Sequence, residues 1–279
     1  MIEISADPVA FAIGSVEVRW YGIMIALGVT ALVLWTMWQV RKGANISYET
    51  VLTGALIGIP AGIIFSRLLH VIDRWDYYSH NPGQIIGGEG LTIYGAVLGA
   101  TLAIWVYSRF SDFKFAYVAD LVAPGVVLAQ AIGRVGCVLN GCCYGTATSL
   151  PWGIVYTNPY SHGYADSMLL AEGTGLHPTQ VYEIIFLLIM FGILMLLKGR
   201  LKPEGSLFLV YLGGYSLWRF GLGFIRDGTD FLFGLHQAQV IGILITAIVI
   251  GLLFYSRVHF VKKGSGEDEA EDIEEVESD

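Results

Sequence analysis

Seven stretches of mainly apolar residues, 18–39, 50–72, 91–108, 117–139, 178–197, 205–225 and 237–257, decide what this chain can fold into. A helix rises about 1.5 Å per residue, so about 20 apolar residues cross the roughly 30 Å hydrocarbon core of a bilayer. Backbone polar groups in lipid must find partners within the segment, and a helix provides them all. We therefore expect an all-α polytopic membrane protein with about seven transmembrane helices. The fourth and sixth stretches are the least uniform, each carrying polar residues and several glycines. Composition agrees: only 14% of the 279 residues are charged and 54% are hydrophobic, against about 25% charged in a soluble domain. Too few charges remain to cover a surface facing water.

The formal net charge of −8 comes from the end of the chain. Nine of the 24 carboxylates lie between Glu267 and Asp279, which leaves 15 acidic residues against 16 basic ones. Two parts are expected: a membrane domain over 1–258 and an acidic tail over 259–279, disordered in water for want of apolar residues. Such a charge balance gives no support for nucleic acid as a partner. Basic residues also set orientation. Arg41, Lys42, Arg109, Lys114, Lys198, Arg200, Lys202, Arg257, Lys262 and Lys263 all fall at alternate junctions of the seven stretches. These junctions are expected in the cytoplasm, with the N-terminus outside and the C-terminus cytoplasmic. Met1–Ser15 carries Glu3 and Asp7 and no basic run, so no cleavable leader is expected. The longest external segment, 140–177, holds Pro151, Pro159 and five aromatics between Tyr144 and Tyr164, and is expected to form an ordered cap.

Ionisable residues within spans face a bundle interior and often mark function. Arg67, Asp120, Arg134, Glu183 and Arg219 are of this kind, and Arg226 follows at a span end. An arginine can also snorkel to the interface or pair with a carboxylate, a reading with most weight for Arg67. Arg134 and Arg219 fall at similar depth on the outer side. Two guanidiniums in a dry pocket repel unless an anion joins them, and phosphate matches their planar donor geometry. Glycines at Gly87, Gly88, Gly90, Gly95, Gly99, Gly213 and Gly214 allow close helix packing, or a pocket that admits lipid between helices.

On these residues the chain resembles the prolipoprotein diacylglyceryl transferases. The run Gly133-Arg134-Val135-Gly136-Cys137-Val138-Leu139-Asn140-Gly141 resembles that family's signature. Arg19-Trp20-Tyr21-Gly22 is similar to its first-helix motif, and His177-Pro178-Thr179-Gln180-Val181-Tyr182-Glu183 to the motif opening its fifth helix. Tyr215, Trp218-Arg219 and Gln239 continue the match in order. The resemblance implies transfer of an sn-1,2-diacylglyceryl group from phosphatidylglycerol to the lipobox cysteine in the signal peptide of a preprolipoprotein. It implies a multi-pass protein of the bacterial cytoplasmic membrane, working without a cofactor or metal. Arg134 and Arg219 would hold the lipid phosphate, Tyr21 would line the lipid pocket and Asn140 would hold the motif loop or headgroup. Arg67 and Arg226 complete the expected binding set. Four positions depart from the family pattern. Tyr94 stands where the third-helix motif carries a histidine, and Cys137 where the signature has asparagine. Cys142 replaces its acidic residue, and Gly223 a sixth-helix glutamate. Tyr94 and Cys142 therefore join the arginines as candidate catalytic residues.

Cys137, Cys142 and Cys143 are the chain's three cysteines. They read as small packing residues, as nucleophiles activated by Arg134, as a disulfide on an oxidising face, or, with no histidine adjacent, as a metal site. Two other functions stay open. One is a divergent paralogue that moves a different group from the same lipid site with thiol participation. The other is an anion or lipid transporter, since paired arginines and glycine-broken helices also suit a permeation site.

Overall fold

The computed structural model describes residues 1–14, 16–85, 93–226, 230–232, 234–256 and 259–260. Gly87, Gly88, Gly90 and residues 261–279 of the expected tail lie outside the described residues, while His259–Phe260, at its start, pairs as a strand with Leu201–Lys202. Among the described residues nine α-helices carry the fold: α1 Trp20–Arg41, α2 Tyr48–Asp73, α3 Trp75–His80, α4 Ile93–Ser108, α5 Phe115–Asn140, α6 Tyr164–Met168, α7 Thr179–Leu197, α8 Ser206–Leu222 and α9 Gln237–Tyr255. Six helices among the described residues are long and apolar enough to cross a membrane: α1, α2, α5, α7, α9, and α8 with its short 3₁₀ extension. The third expected span is the shorter α4, whose 16 residues give a rise of about 24 Å. This is a multi-pass, mostly helical membrane protein.

The chain divides into two compact units, Val33–Leu121 and Met1–Leu32 with the residues from Val122 onward. In the first, α2 and α4 pack through glycine. A Cβ on Gly95 would stand 2.3 Å from the Phe65 carbonyl oxygen, and one on Gly99 would stand 2.5 Å from the Phe65 Cβ. α4 can come this close to α2 only because it carries no side chain at these two positions of the crossing. Packing is thus what these two glycines do. Arg67 belongs to the same unit. Its Nε donates to the Ile85 carbonyl at 3.0 Å and its Nη2 to the Gln84 carbonyl at 2.6 Å, and the guanidinium lies 5.2 Å from the Tyr78 ring centre. Arg67 braces the segment that follows α3.

The second unit has its apolar core where α5, α7 and α8 meet, around Val127, Leu187, Leu194 and Tyr211. Phe186 of α7 stacks on Trp218 of α8, with ring centres 4.5 Å apart and planes 4° from parallel. Beyond the ends of α5 and α7 lies a four-stranded sheet, ordered Ile2–Ile4, Ile154–Tyr156, Gly175–Leu176, Ala147–Thr148. The first pair runs parallel, with Ile2 opposite Ile154, and the other pairs are antiparallel. Ile154, Tyr156 and Leu176 form its own small core with Ile4, Tyr144 and Leu170. Sequence reading placed an ordered segment at 140–177 but gave Ile2–Ile4 no part in it. The apolar–acidic–apolar alternation of Ile2-Glu3-Ile4 is the signal a strand would leave, and three residues are too few to stand out.

Candidate active site

The signature run ends α5 and turns sharply out of it. Gly141 sits at φ +67° and Cys143 at φ +69°, a left-handed conformation uncommon for a residue with a side chain. Hydrogen bonds hold the turn from several sides. Cys142 N–H donates to the Cys137 carbonyl at 3.1 Å. The start of α7 does the rest: Thr179 Oγ1 donates to the Cys143 carbonyl at 2.6 Å, and Gln180 Nε2 to the Cys142 carbonyl at 2.7 Å. Gly145 N–H and His177 N–H tie the outgoing strand to the entry of α7, and Thr146 N–H reaches the Ile225 carbonyl at 3.0 Å. The motif loop is therefore wedged between the entry of α7 and the exit of α8.

One turn further into α7, on the face that carries Thr179, Glu183 meets Arg134. Glu183 Oε1 lies 2.8 Å from Arg134 Nη2, with side-chain exposures of 2% and 20%. Tyr215 Oη of α8 donates to the same carboxylate oxygen at 2.9 Å. Arg134 Nη1 also points at Cys137 Sγ, 3.7 Å away. A charge this deep needs partners, and here three helices each contribute one. The expectation that an added anion must relieve Arg134 is corrected in part: Glu183 is already its counter-ion. From sequence alone Glu183 is one more ionisable residue within a span, with nothing that pairs it to Arg134. The i, i+4 spacing of Thr179 and Glu183 in a helix-opening motif was the available signal. Tyr215→Phe removes one hydrogen bond to this buried carboxylate. It should lower stability in detergent by about 1.5–3 kcal/mol, seen as a fall in melting temperature. An unchanged melting temperature would mean that Arg134 alone holds Glu183.

Arg219 lies one turn beyond Tyr215 in α8, about 6 Å along the axis. It is half-buried, and its guanidinium makes no hydrogen bond or ion pair among the described residues. Tyr21, at the start of α1, passes close to the signature, since a Cβ on Gly136 would stand 3.2 Å from the Tyr21 Cα. Asn140 is buried, and its Oδ1 has no hydrogen-bond partner. Arg226 follows the 3₁₀ turn Gly223–Ile225, half-buried and within electrostatic reach of Cys143. The three cysteines are free thiols, and their sulfurs all lie within 4.8 Å of one another. Hydrogen bonds from the Cys137 and Cys142 thiols, then the positive fields of Arg226 and Arg134, hold the Cys143 thiol well below the usual range against the opposing effect of burial.

Of the residues expected from sequence, the structure gathers Tyr21, Arg134, Asn140, Cys137, Cys142, Cys143 and Arg226 around the end of α5. Arg67 is committed elsewhere. Tyr94 heads α4, but its side chain lies outside the described residues. Beside Trp218, the faces of α7 and α8 also leave an open apolar groove of about 460 Å³, lined by Tyr182, Phe186, Gly214, Leu217 and Leu222.

A largely buried ion pair in a multi-pass helical protein, with a cation one turn away that has no partner among the described residues and an apolar groove alongside, is the equipment of a membrane-embedded enzyme. Comparison with known proteins narrows the class. The prolipoprotein diacylglyceryl transferase family model matches residues 8–255, and the chain belongs to that family. It is 53% identical over 255 residues to the phosphatidylglycerol–prolipoprotein diacylglyceryl transferase of Dehalococcoides mccartyi (strain 195), covering 91% of this chain and 95% of the relative. The proteins of the same name from Clostridioides difficile (strain 630) and Listeria monocytogenes (serotype 4a) are 35% and 33% identical. They match 92% and 90% of this chain, and 96% and 90% of their own lengths.

Proposed function

We propose that this transferase moves an sn-1,2-diacylglyceryl group from phosphatidylglycerol to the lipobox cysteine of a preprolipoprotein signal peptide. It works at the outer side of the bacterial cytoplasmic membrane. In this reading the N-terminus is outside, seven helices span the bilayer within 1–258, the segment 140–177 caps the outer face, and the acidic tail 259–279 is cytoplasmic. The observation that carries the reading is the buried Arg134–Glu183–Tyr215 group, one turn from the uncommitted guanidinium of Arg219.

The reaction forms one bond and breaks one. The acceptor sulfur, having given its proton to a base, attacks the terminal glyceryl carbon of the lipid. The carbon–oxygen bond to phosphate breaks, and its electron pair leaves on the phosphate oxygen as glycerol phosphate. Charge therefore grows on phosphate in the transition state, which fixed guanidinium donors stabilise. Arg219 meets the phosphate directly. Arg134, aimed by Glu183, supplies positive charge that needs no reorganisation when the bond breaks. Asn140 Oδ1, buried without a partner, accepts from a headgroup hydroxyl. Tyr21 lines the lipid, and Arg226 extends the positive field. The groove between α7 and α8 takes acyl chain. Tyr94, in the place of the family's histidine, is assigned to the acceptor's proton, and Cys142 is the alternative group at the signature. Arg67 is left out of the set, because its Nε and Nη2 already serve backbone carbonyls.

The test is reconstitution in phosphatidylglycerol liposomes with a lipobox peptide, read by mass spectrometry. The peptide cysteine should gain one diacylglyceryl group, and Arg219→Ala should slow this by at least about 100-fold. No gain from folded protein that binds the lipid would overturn the reading. The second reading, favoured by the thiol cluster, would then stand: a paralogue passing another group through its own cysteines, identified by a lipid adduct on Cys142 in the intact mass.

A further inference from the structure

The transfer chemistry above uses Cys142 only as the alternative to Tyr94 and leaves Cys137 and Cys143 without a part, yet all three thiols are held with care. Cys137 is buried on the last turns of α5, and Cys142 and Cys143 are half-buried in the turn that follows. A backbone hydrogen bond to Cys137 O fixes that turn from α5, and the side chains of Thr179 and Gln180 fix it from α7 by donating to its carbonyls. The three sulfurs approach one another within 4.8 Å. A tetrahedral zinc–sulfur shell, with bonds of about 2.3 Å, sets its sulfurs about 3.8 Å apart. Contraction by about an ångström, within reach of side-chain rotation, turns the cluster into three corners of such a shell.

We propose that Cys137, Cys142 and Cys143 bind one thiophilic closed-shell cation, of the zinc, cadmium or copper(I) class. The cation is held by the three sulfurs, which lie within 4.8 Å of one another. Each thiol releases its proton to solvent as its sulfur takes the metal. Three thiolates with a divalent ion leave one negative charge, and the guanidiniums of Arg134 and Arg226 are at hand to balance it. Soft sulfur ligands select this class of ion over magnesium or calcium, which take oxygen. Packing alone would not require three sulfurs to converge: a small apolar side chain at any of the three positions would fill the same space. The site stands apart from the transferase reading and would exist whatever group the enzyme moves.

The experiment uses the full chain in detergent without a polyhistidine tag, reduced and then freed of reductant under inert gas. Cadmium titration should raise a thiolate-to-metal absorption band that saturates at one ion per chain and is reversed by excess zinc or copper(I). The competitor that reverses it at the lower concentration identifies the preferred ion. Cys137→Ser, Cys142→Ser and Cys143→Ser should each weaken binding by at least about 10-fold, since loss even of an outer-shell partner costs that much. X-ray absorption of the zinc-loaded wild type, which depends on no variant folding, should find three sulfur neighbours. A reduced wild type with no saturable band, a spectrum of oxygen and nitrogen neighbours alone, or equal binding by the triple serine variant would overturn the proposal.

Discussion

Arg134→Ala should abolish diacylglyceryl transfer, by about 10³-fold or more, while the chain still inserts into the membrane. Loss of one fixed donor to a developing oxyanion commonly costs about 10²–10³ in rate, and Arg134 also holds the other members of the site. The same change strands Glu183, whose carboxylate is 2% exposed. Breaking a buried ion pair from one side costs about 3–5 kcal/mol, so part of any activity loss could come from unfolding. The double variant Arg134→Ala/Glu183→Gln separates the two effects. It removes the stranded charge and should recover much of the melting temperature of the wild type, with transfer still absent. Normal turnover by either variant would remove Arg134 from the mechanism. Failure of the double variant to recover stability would mean that the guanidinium holds α5, α7 and α8 together by more than its charge.

Gly145→Ala should be the most damaging single methyl group that can be added near the site. Its Cβ would stand 2.2 Å from the Ile225 carbonyl oxygen, 2.8 Å from Thr179 Cγ2 and 2.9 Å from His177 Cβ. Rotating a side chain cannot relieve the first contact, because it is with backbone. The motif loop must move away from the 3₁₀ turn, stretching the hydrogen bond from Thr146 N–H to Ile225 and the pair joining Gly145 to His177. Overpacking of this kind costs about 1–3 kcal/mol, and backbone contact places it at the upper end. A thermal melt in detergent should fall clearly, and protease should cut the 142–146 segment sooner. A melt equal to wild type would mean that the loop is looser than its hydrogen bonds suggest.

Hydropathy carried most of the fold. A run of about 20 apolar residues has few alternatives to a helix in lipid, so α1, α2, α5, α7, α8 and α9 stood close to the stretches read from sequence. What sequence could not carry was pairing across distance. Arg134 and Glu183 lie on different helices, and each alone is one more ionisable residue in a span. Arg67 made the converse case. From sequence it read either as a cation that snorkels or pairs within the fold or as one of the expected binding set, while in the fold its donors go to carbonyls at Gln84 and Ile85. Glycines gave a mixed lesson as well. Gly95 and Gly99 mark a helix crossing, as their four-residue spacing suggests, whereas nothing in the letters around Gly145 announces that two backbones meet there. The cysteines were visible as a cluster along the chain, but three residues within seven positions need not bring their sulfurs together. Here a turn with two left-handed residues does so.

The strand Ile2–Ile4 lies parallel to Ile154–Tyr156 in the sheet beyond α5 and α7. That places one strand beside a partner that leaves the ribosome about 150 residues after it. During biosynthesis Ile2–Ile4 must wait, unpaired, while the long apolar helices α1, α2 and α5 are threaded into the bilayer. The loop that the pairing closes is among the longest in the molecule, and such contacts form late because their entropy must be overcome first. The sheet is therefore a record of completion. Its closure reports that the helices between have been delivered, and an assembly arrested halfway would leave the amino-terminal strand as an open edge.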